Sequence, residues 1–182
     1  MKKFIFLIII FFSLIGCTLD DIDNTPTKQV EAFFNNYQTL DHKVLDDLDL
    51  VIAKEQSFNK DQKLEYREIL KKHYQNLSYE IKDETVNGDK AIVEVEIEVT
   101  DFNKALTEAR EYLNIHKDEF LDDQGNYDES KYIDYQLKKM KTSKDNVKYT
   151  LNLSLTKNDN GDWTLNDISD VDEEKILGIY DY

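Results

Sequence analysis

Residues with reactive side chains are few in this chain and lie far apart. The sequence contains one cysteine, Cys17, and three histidines, His42, His73 and His116. A thiol can accept an acyl group, and an imidazole can act as a general base near neutral pH. No two of the histidines stand at the close spacing of paired metal ligands. We therefore expect no metal centre, no catalytic pair and no cofactor.

Cys17 follows a segment that is typical of export signals. Lys2 and Lys3 precede an uncharged run over residues 4–15, whose length fits the apolar part of a signal peptide, about 7–15 residues. The run is too short for a membrane-spanning helix, which needs about 20 apolar residues. The alternatives are an ordinary signal peptide with a coincidental cysteine and a short buried helix. A buried helix would carry polar residues at helical spacing, which this run lacks.

The segment Leu14-Ile15-Gly16-Cys17 resembles the lipobox of bacterial lipoproteins, in which an aliphatic and a small residue precede a cysteine. The resemblance implies that the Cys17 thiol receives diacylglycerol and that a signal peptidase cleaves between Gly16 and Cys17. It also implies membrane attachment on the extracytoplasmic face. Two acyl chains anchor a protein stably, whereas a single chain binds only marginally.

Loss of residues 1–16 would leave 166 residues, which suffices for one domain with its own core. Lys2 and Lys3 leave with the signal, so 21 basic residues face 38 acidic ones and the net charge is −17. Such a charge repels nucleic acid, which we exclude as a partner. We expect a lipidated cysteine and acidic tether over 17–25 and a single domain over 26–182. The many Lys, Asn, Ile, Asp and Tyr residues favour a low-GC Gram-positive source, and the lipobox resemblance then implies its cell surface.

Three amphipathic helices are predicted before the first strand. Thr25 and Pro26 supply an N-cap and a proline at the first helical position, so a helix is expected from Pro26. The third helix is predicted over residues 61–77 and places Leu64 and His73 near its apolar face. We interpret His73 as a partly buried histidine with one partner, and a catalytic role is the alternative.

Alternating apolar residues predict a sheet. Strands are expected over residues 78–86, 90–100 and 147–156, with a fourth short strand at Trp163. Two tight turns, Asn87-Gly88-Asp89 and Asn158-Asp159-Asn160-Gly161, join these strands into hairpins. The predicted fold class is α+β, with N-terminal helices packed on a curved antiparallel sheet of about four strands. Residues 101–143 form a helical insertion between the two hairpins.

This order of elements resembles the nuclear-transport-factor-2-like (cystatin-like) fold, with stretches such as residues 27–37 and 161–167 contributing to the resemblance. The resemblance implies a curved sheet that wraps a helical layer, with a cone whose mouth binds ligands in relatives. The insertion departs from the simplest pattern and is expected to cap that mouth.

The inward positions of the two long strands carry apolar residues or tyrosine. This pattern predicts a filled core or, at most, an apolar pocket, because polar-ligand sites place polar groups there. The candidate pocket residues are His73, Tyr79, Tyr149 and Trp163.

An acidic turn offers oxygen atoms that could bind calcium. It contains Asp122, Asp123, Asn126 and Asp128, but Gly125 does not fall at the sixth position of an EF-hand loop. We interpret the segment as a polar turn between helices.

The sequence therefore predicts a non-enzymatic, lipid-anchored surface protein that binds a protein partner or a ligand. One alternative is a carrier of apolar small molecules, with residues 101–143 as a lid over a cavity of roughly several hundred Å³. The other is a hydrolase- or isomerase-like enzyme that uses His73, which would need a carboxylate within hydrogen-bond reach.

Overall fold

The computed structural model describes residues 24–181. The predictions for Gly16, Cys17 and most of the tether therefore lie outside the described residues. Within them the chain has the predicted α+β fold, with six α-helices and a four-stranded antiparallel sheet in the order β1-β2-β3-β4. The elements, in chain order, are α1 (Pro26–Thr39), α2 (His42–Lys54), α3 (Lys60–Asn76), β1 (Ser78–Asn87), β2 (Lys90–Thr100), α4 (Phe102–Ile115), a 3₁₀-helix (Lys117–Phe120), α5 (Glu129–Thr142), β3 (Asn146–Lys157), β4 (Trp163–Leu165) and α6 (Asp170–Ile176).

Side-chain caps fix where the first helices begin. The Thr25 side chain accepts a hydrogen bond from the backbone N–H of Lys28, and Pro26 occupies the first turn of α1. Helix α3 begins with a full capping box, in which the Asn59 and Gln62 side chains each accept a hydrogen bond from the other residue's backbone N–H. Each of these bonds satisfies a backbone donor that a helix terminus otherwise leaves unpaired.

The sheet buries one face and exposes the other. In β2, Val93, Val95 and Ile97 are fully buried, whereas the residues between them point outward. On the outer face Glu96 lies between Lys148, at 2.8 Å, and Lys82, at 3.6 Å. This alternation is expected of an antiparallel sheet with one solvated face.

Strand β1 forms one edge of the sheet. Its pairing with β2 shifts register between Ile81 and Asp83, which marks a bulge in the middle of the strand. Beyond the bulge, Glu84 accepts hydrogen bonds from the Thr27 backbone N–H, at 2.9 Å, and hydroxyl, at 2.6 Å. These bonds attach the start of α1 to the edge strand.

Two hydrophobic cores form on the helical side of the sheet. The first joins the inner face of the sheet to α1 and α6, and its members include Phe34 and Ile176. The second lies among α2, α3, the start of α4 and α5, with Leu48, Leu70 and Leu137 fully buried in it. The predicted insertion therefore packs against α3, where it enlarges the helical layer.

The turn inside the insertion is closed by its own hydrogen bonds. One carboxylate oxygen of Asp122 accepts hydrogen bonds from the backbone N–H groups of Gln124 and Asn126, both at 2.8 Å. Leu121 and Tyr127 pair across this turn. The polar-turn interpretation is confirmed, and within residues 24–181 no group of three histidine, cysteine or acidic residues could hold a metal ion.

Candidate functional site

His73 lies on the inner side of α3 and is only 2% exposed. Its Nε2 atom is 2.8 Å from the carbonyl oxygen of Ile176, and because a carbonyl only accepts, Nε2 carries the proton. The Phe102 ring stacks on the imidazole at 4.7 Å. Burial lowers the pKa of His73 from 6.5 to about 4, against the opposing effect of the bond to Ile176. His73 is therefore neutral at pH 7.

The other ring nitrogen of His73, Nδ1, is buried and has no hydrogen-bond partner within the described part of the chain. No carboxylate there lies within ion-pair distance of the ring, so the partner that a catalytic role would need is not found among residues 24–181. The sequence predicts a partly buried histidine with one partner; the ring has one backbone partner, and it is buried more deeply than predicted.

Gly178 fixes the C-terminal segment against His73. Its φ is +70°, and a Cβ atom there would collide with the carbonyl oxygen of Thr100 and lie 3.2 Å from Cε1 of His73. The Gly178 carbonyl accepts a hydrogen bond of 2.8 Å from the Asn103 backbone N–H. Only glycine fits this close approach between the C-terminal segment and the end of β2.

Tyr79 and Tyr149 belong to the first core. Both pair with Ile97, from opposite sides of β2, so the three residues form one row across the sheet. Tyr79 stacks on Phe34 at 4.8 Å, and burial raises the pKa of its hydroxyl. The Tyr149 hydroxyl donates a hydrogen bond of 3.3 Å to the Tyr180 carbonyl. Both tyrosines thus take part in packing.

Trp163 lies at the other end of the sheet. It pairs with Lys157, eight residues from Tyr149 along β3, which corresponds to about 26 Å. The Lys157 ammonium lies 5.0 Å from the centre of the Trp163 ring. The expected common pocket of His73, Tyr79, Tyr149 and Trp163 is therefore not formed, because the pairing of the strands separates these residues.

A groove lies elsewhere, where α3 passes the ends of β1, β2 and β3. We call it the sheet-end groove; its volume is about 1190 Å³, and it is open to solvent along one side. Of the four candidate residues only His73 lines it. Apolar side chains in its lining come from the residue that follows α1, from α3, the end of β2, the start of α4 and α5: Leu40, Leu64, Ile69, Val99, Phe102 and Met140.

No family model, curated protein or solved structure matches this chain. The resemblances to the lipobox and to the nuclear-transport-factor-2-like fold stay predictions from the sequence.

The charge on the sheet-end groove differs from that of the whole chain. Four lysines and three glutamates of the described residues line it, in a chain of net charge −15. Lys71 pairs with Glu68 at 2.9 Å, and Lys141 pairs with Glu65 at 2.8 Å. The remaining two lysines, Lys72 and Lys144, have no ion-pair or hydrogen-bond partner among residues 24–181.

Asn24, the first described residue, lies at the end of the sheet opposite the sheet-end groove. The Asn24 side chain donates a hydrogen bond of 2.8 Å to Asp162 and accepts one of 2.9 Å from the Trp163 backbone N–H. The eleven residues of β2 separate this end from the groove by about 33 Å. None of the helices between residues 24 and 181 is long and apolar enough to cross a membrane.

The sheet-end groove was not predicted from the sequence. Its walls come from Leu40 and from three separate stretches, around residues 64–78, 98–102 and 140–146. One signal was misread: the helical periodicity placed Leu64 with the core, but its side chain is 54% exposed on the groove wall. Leu64, an apolar residue at the edge of the apolar stripe of α3, was the only sequence feature that indicated the groove.

Proposed function

We propose that this protein is a lipid-anchored extracytoplasmic binding protein, attached through Cys17, whose domain binds a partner protein in the sheet-end groove. The observation that carries the proposal is the position of the groove at the end of the sheet opposite Asn24. A tether that enters at one end leaves the groove at the other end open to the surroundings.

The length of the tether supports this arrangement. Cys17 precedes Asn24 by seven residues, and a fully extended segment of that length spans about 24 Å. The bonds from Asn24 to Asp162 and Trp163 hold the start of the domain at the β3–β4 turn. Lipid attached at Cys17 would therefore keep that turn near the bilayer, and the groove does not have to face the lipid.

The chemistry of the groove favours binding over acid–base catalysis. His73 is neutral at pH 7, and its Nε2 proton is already donated to the Ile176 carbonyl. The other side chains within the lining are apolar, amide, hydroxyl, lysine or glutamate. Such a surface suits recognition of a chain with both apolar and polar groups.

The shape of the groove favours a protein partner over an enclosed small molecule. Small-molecule sites bury about 70–90% of their ligand, whereas a peptide in a groove keeps one side in solvent. The inner face of the sheet offers no alternative cavity at Val93, Val95 and Ile97, which are fully buried in the first core. Helix α5 supplies Met140 to the groove as part of one wall.

Site-specific photo-crosslinking on intact cells tests the proposal. A benzophenone amino acid would replace Leu64, which is 54% exposed on the groove wall, in the full chain. The control replaces Ile115, which is 75% exposed at the end of α4 and does not line the groove. We expect a discrete adduct in the membrane fraction from position 64 and none from position 115. Equal labelling from both positions, or none from position 64, would contradict the proposal.

A further inference from the structure

The sheet-end groove is a local exception to the acidic character of this chain. Acidic residues outnumber basic ones by 38 to 23 overall, whereas the lining has four lysines and three glutamates. At physiological salt, charges more than about 8 Å away are largely screened. A ligand in the groove therefore responds mainly to the groove's own charges.

Two of these lysines are available to a ligand. Lys71 and Lys141 are occupied by Glu68 and Glu65, which leaves Lys72 and Lys144 without a partner among residues 24–181. Lys72 lies on α3 and Lys144 on the segment between α5 and β3, so the two cations flank the groove from different elements.

The third glutamate does not offset both lysines. Glu98 lies at the end of β2 and accepts a hydrogen bond of 3.1 Å from the Asn146 side chain. The unpaired charge of the lining is therefore positive by one.

The remaining lining fits a peptide. Leu64, which is 54% exposed, presents apolar surface at one part of the groove, and Gln75 and Asn146 present side-chain amides at another. Amides can donate to and accept from peptide backbone groups, while apolar side chains can bury those of a partner. The wall along α3 from Leu64 to Asn76 is about 18 Å long, enough for a helical segment of roughly twelve residues.

We propose that the occupant of the sheet-end groove is a short segment of a partner protein that combines acidic and apolar residues. The segment would place its apolar side chains beside Leu64 and its carboxylates beside Lys72 and Lys144. This inference rests on the proposed function and gives the chemical class of its partner.

A peptide selection tests the inference. A random twelve-residue peptide library displayed on phage would be selected on the full chain at 0.15 M salt, and the best peptides would be measured by fluorescence anisotropy. We expect the selected peptides to carry acidic and apolar residues together. In the double variant K72E/K144E their affinity falls at least tenfold. The control K43E/K117E makes the same charge change at exposed lysines outside the groove and changes affinity less than twofold.

Three results would overturn the inference. They are enrichment of basic or uncharged peptides, an equal loss of affinity in the two double variants, and a selection that yields no peptide dependent on Lys72 and Lys144. Crosslinking from position 64 that persists in K72E/K144E would leave the proposed binding function standing and reject the acidic segment alone. No crosslinking from position 64 would reject the binding function itself.

Discussion

The side-chain amide of Gln62 donates a hydrogen bond of 2.7 Å to the carboxylate of Asp134, which joins the first turn of α3 to α5. Gln62 is 2% exposed, and its amide also lies 2.9 Å from the Ser130 hydroxyl. Its carbonyl oxygen accepts a hydrogen bond from the Asn59 backbone N–H. One side chain thus closes a helix cap and attaches the insertion to the rest of the domain.

Substitution of Gln62 by alanine should lower the free energy of unfolding by about 2–3 kcal/mol, because the cap is lost and buried polar partners are left unpaired. Urea denaturation followed by circular dichroism measures this loss. Gln75→Ala on the exposed side of the same helix is the control and should change stability by less than about 0.5 kcal/mol. A similar effect of both substitutions would mean that the contact with α5 contributes nothing.

Gly178→Ala should destabilise the domain by more than about 2 kcal/mol. The substitution adds the strain of a positive φ and a collision with the Thr100 carbonyl oxygen. Gly125→Ala provides a matched control, since its φ is +83° and a Cβ atom there meets open space. The control should cost only about 1 kcal/mol in thermal or urea unfolding. Equal costs would show that the close approach at Thr100 is relieved by movement of the backbone.

His73 should make the domain less stable as the pH falls below 6.5. The folded-state pKa of about 4 lies below the ordinary value of 6.5, so between these values the unfolded chain binds the proton and the folded one does not. The contribution of His73 to the free energy of unfolding is fully present above pH 6.5 and falls by roughly 3 kcal/mol on acidification to pH 4.

The His73→Phe variant isolates this contribution. Urea denaturation from pH 7 to pH 4 gives the unfolding free energy of the original chain and of the variant. The original chain should lose roughly 3 kcal/mol relative to the variant over this range. Carboxylates titrate in both proteins and cancel in the comparison. A difference that stays constant with pH would contradict the assignment of a neutral, buried imidazole.

Cys17→Ser should release the protein from the membrane fraction and abolish labelling with a radioactive or alkyne-tagged fatty acid. Serine offers no thiol for the diacylglycerol group that the lipobox resemblance implies. Without those two acyl chains the variant lacks the stable membrane anchor. Cell fractionation with immunodetection is the measurement. An unchanged membrane fraction in the variant would reject lipid attachment at this position.

Local patterns in the sequence determine most of the fold. The alternation along β2 predicts which residues are buried, and the turns at Gly88 and Gly161 predict both hairpins, as found. The cap at Thr25 and the proline at position 26 predict where α1 begins. Each of these features depends on interactions between residues close in the chain or on a periodicity within one element.

The candidate site depends on contacts that no local pattern contains. The sequence predicts partial burial of His73, but the ring is almost fully buried, and its bond to Ile176 joins residues 103 positions apart. Trp163 and Tyr149 share the inner face of the sheet, yet the length of β3 keeps them in separate regions. Leu64 belongs to the apolar stripe of α3 yet is exposed on the groove wall, and the periodicity of α3 alone cannot specify which residues of the stripe are covered.

The bulge between Ile81 and Asp83 has a consequence for copies held side by side. The proposed lipid anchor would confine the molecules to two dimensions, where exposed strand edges would collide frequently. A regular ten-residue edge such as β1 would offer a template for intermolecular pairing. The shift in register interrupts that template, and the charged side chains of Lys82, Asp83 and Glu84 lie on it. If the proposed lipid anchor holds the protein at a membrane, the irregularity in this strand opposes lateral aggregation of neighbouring copies.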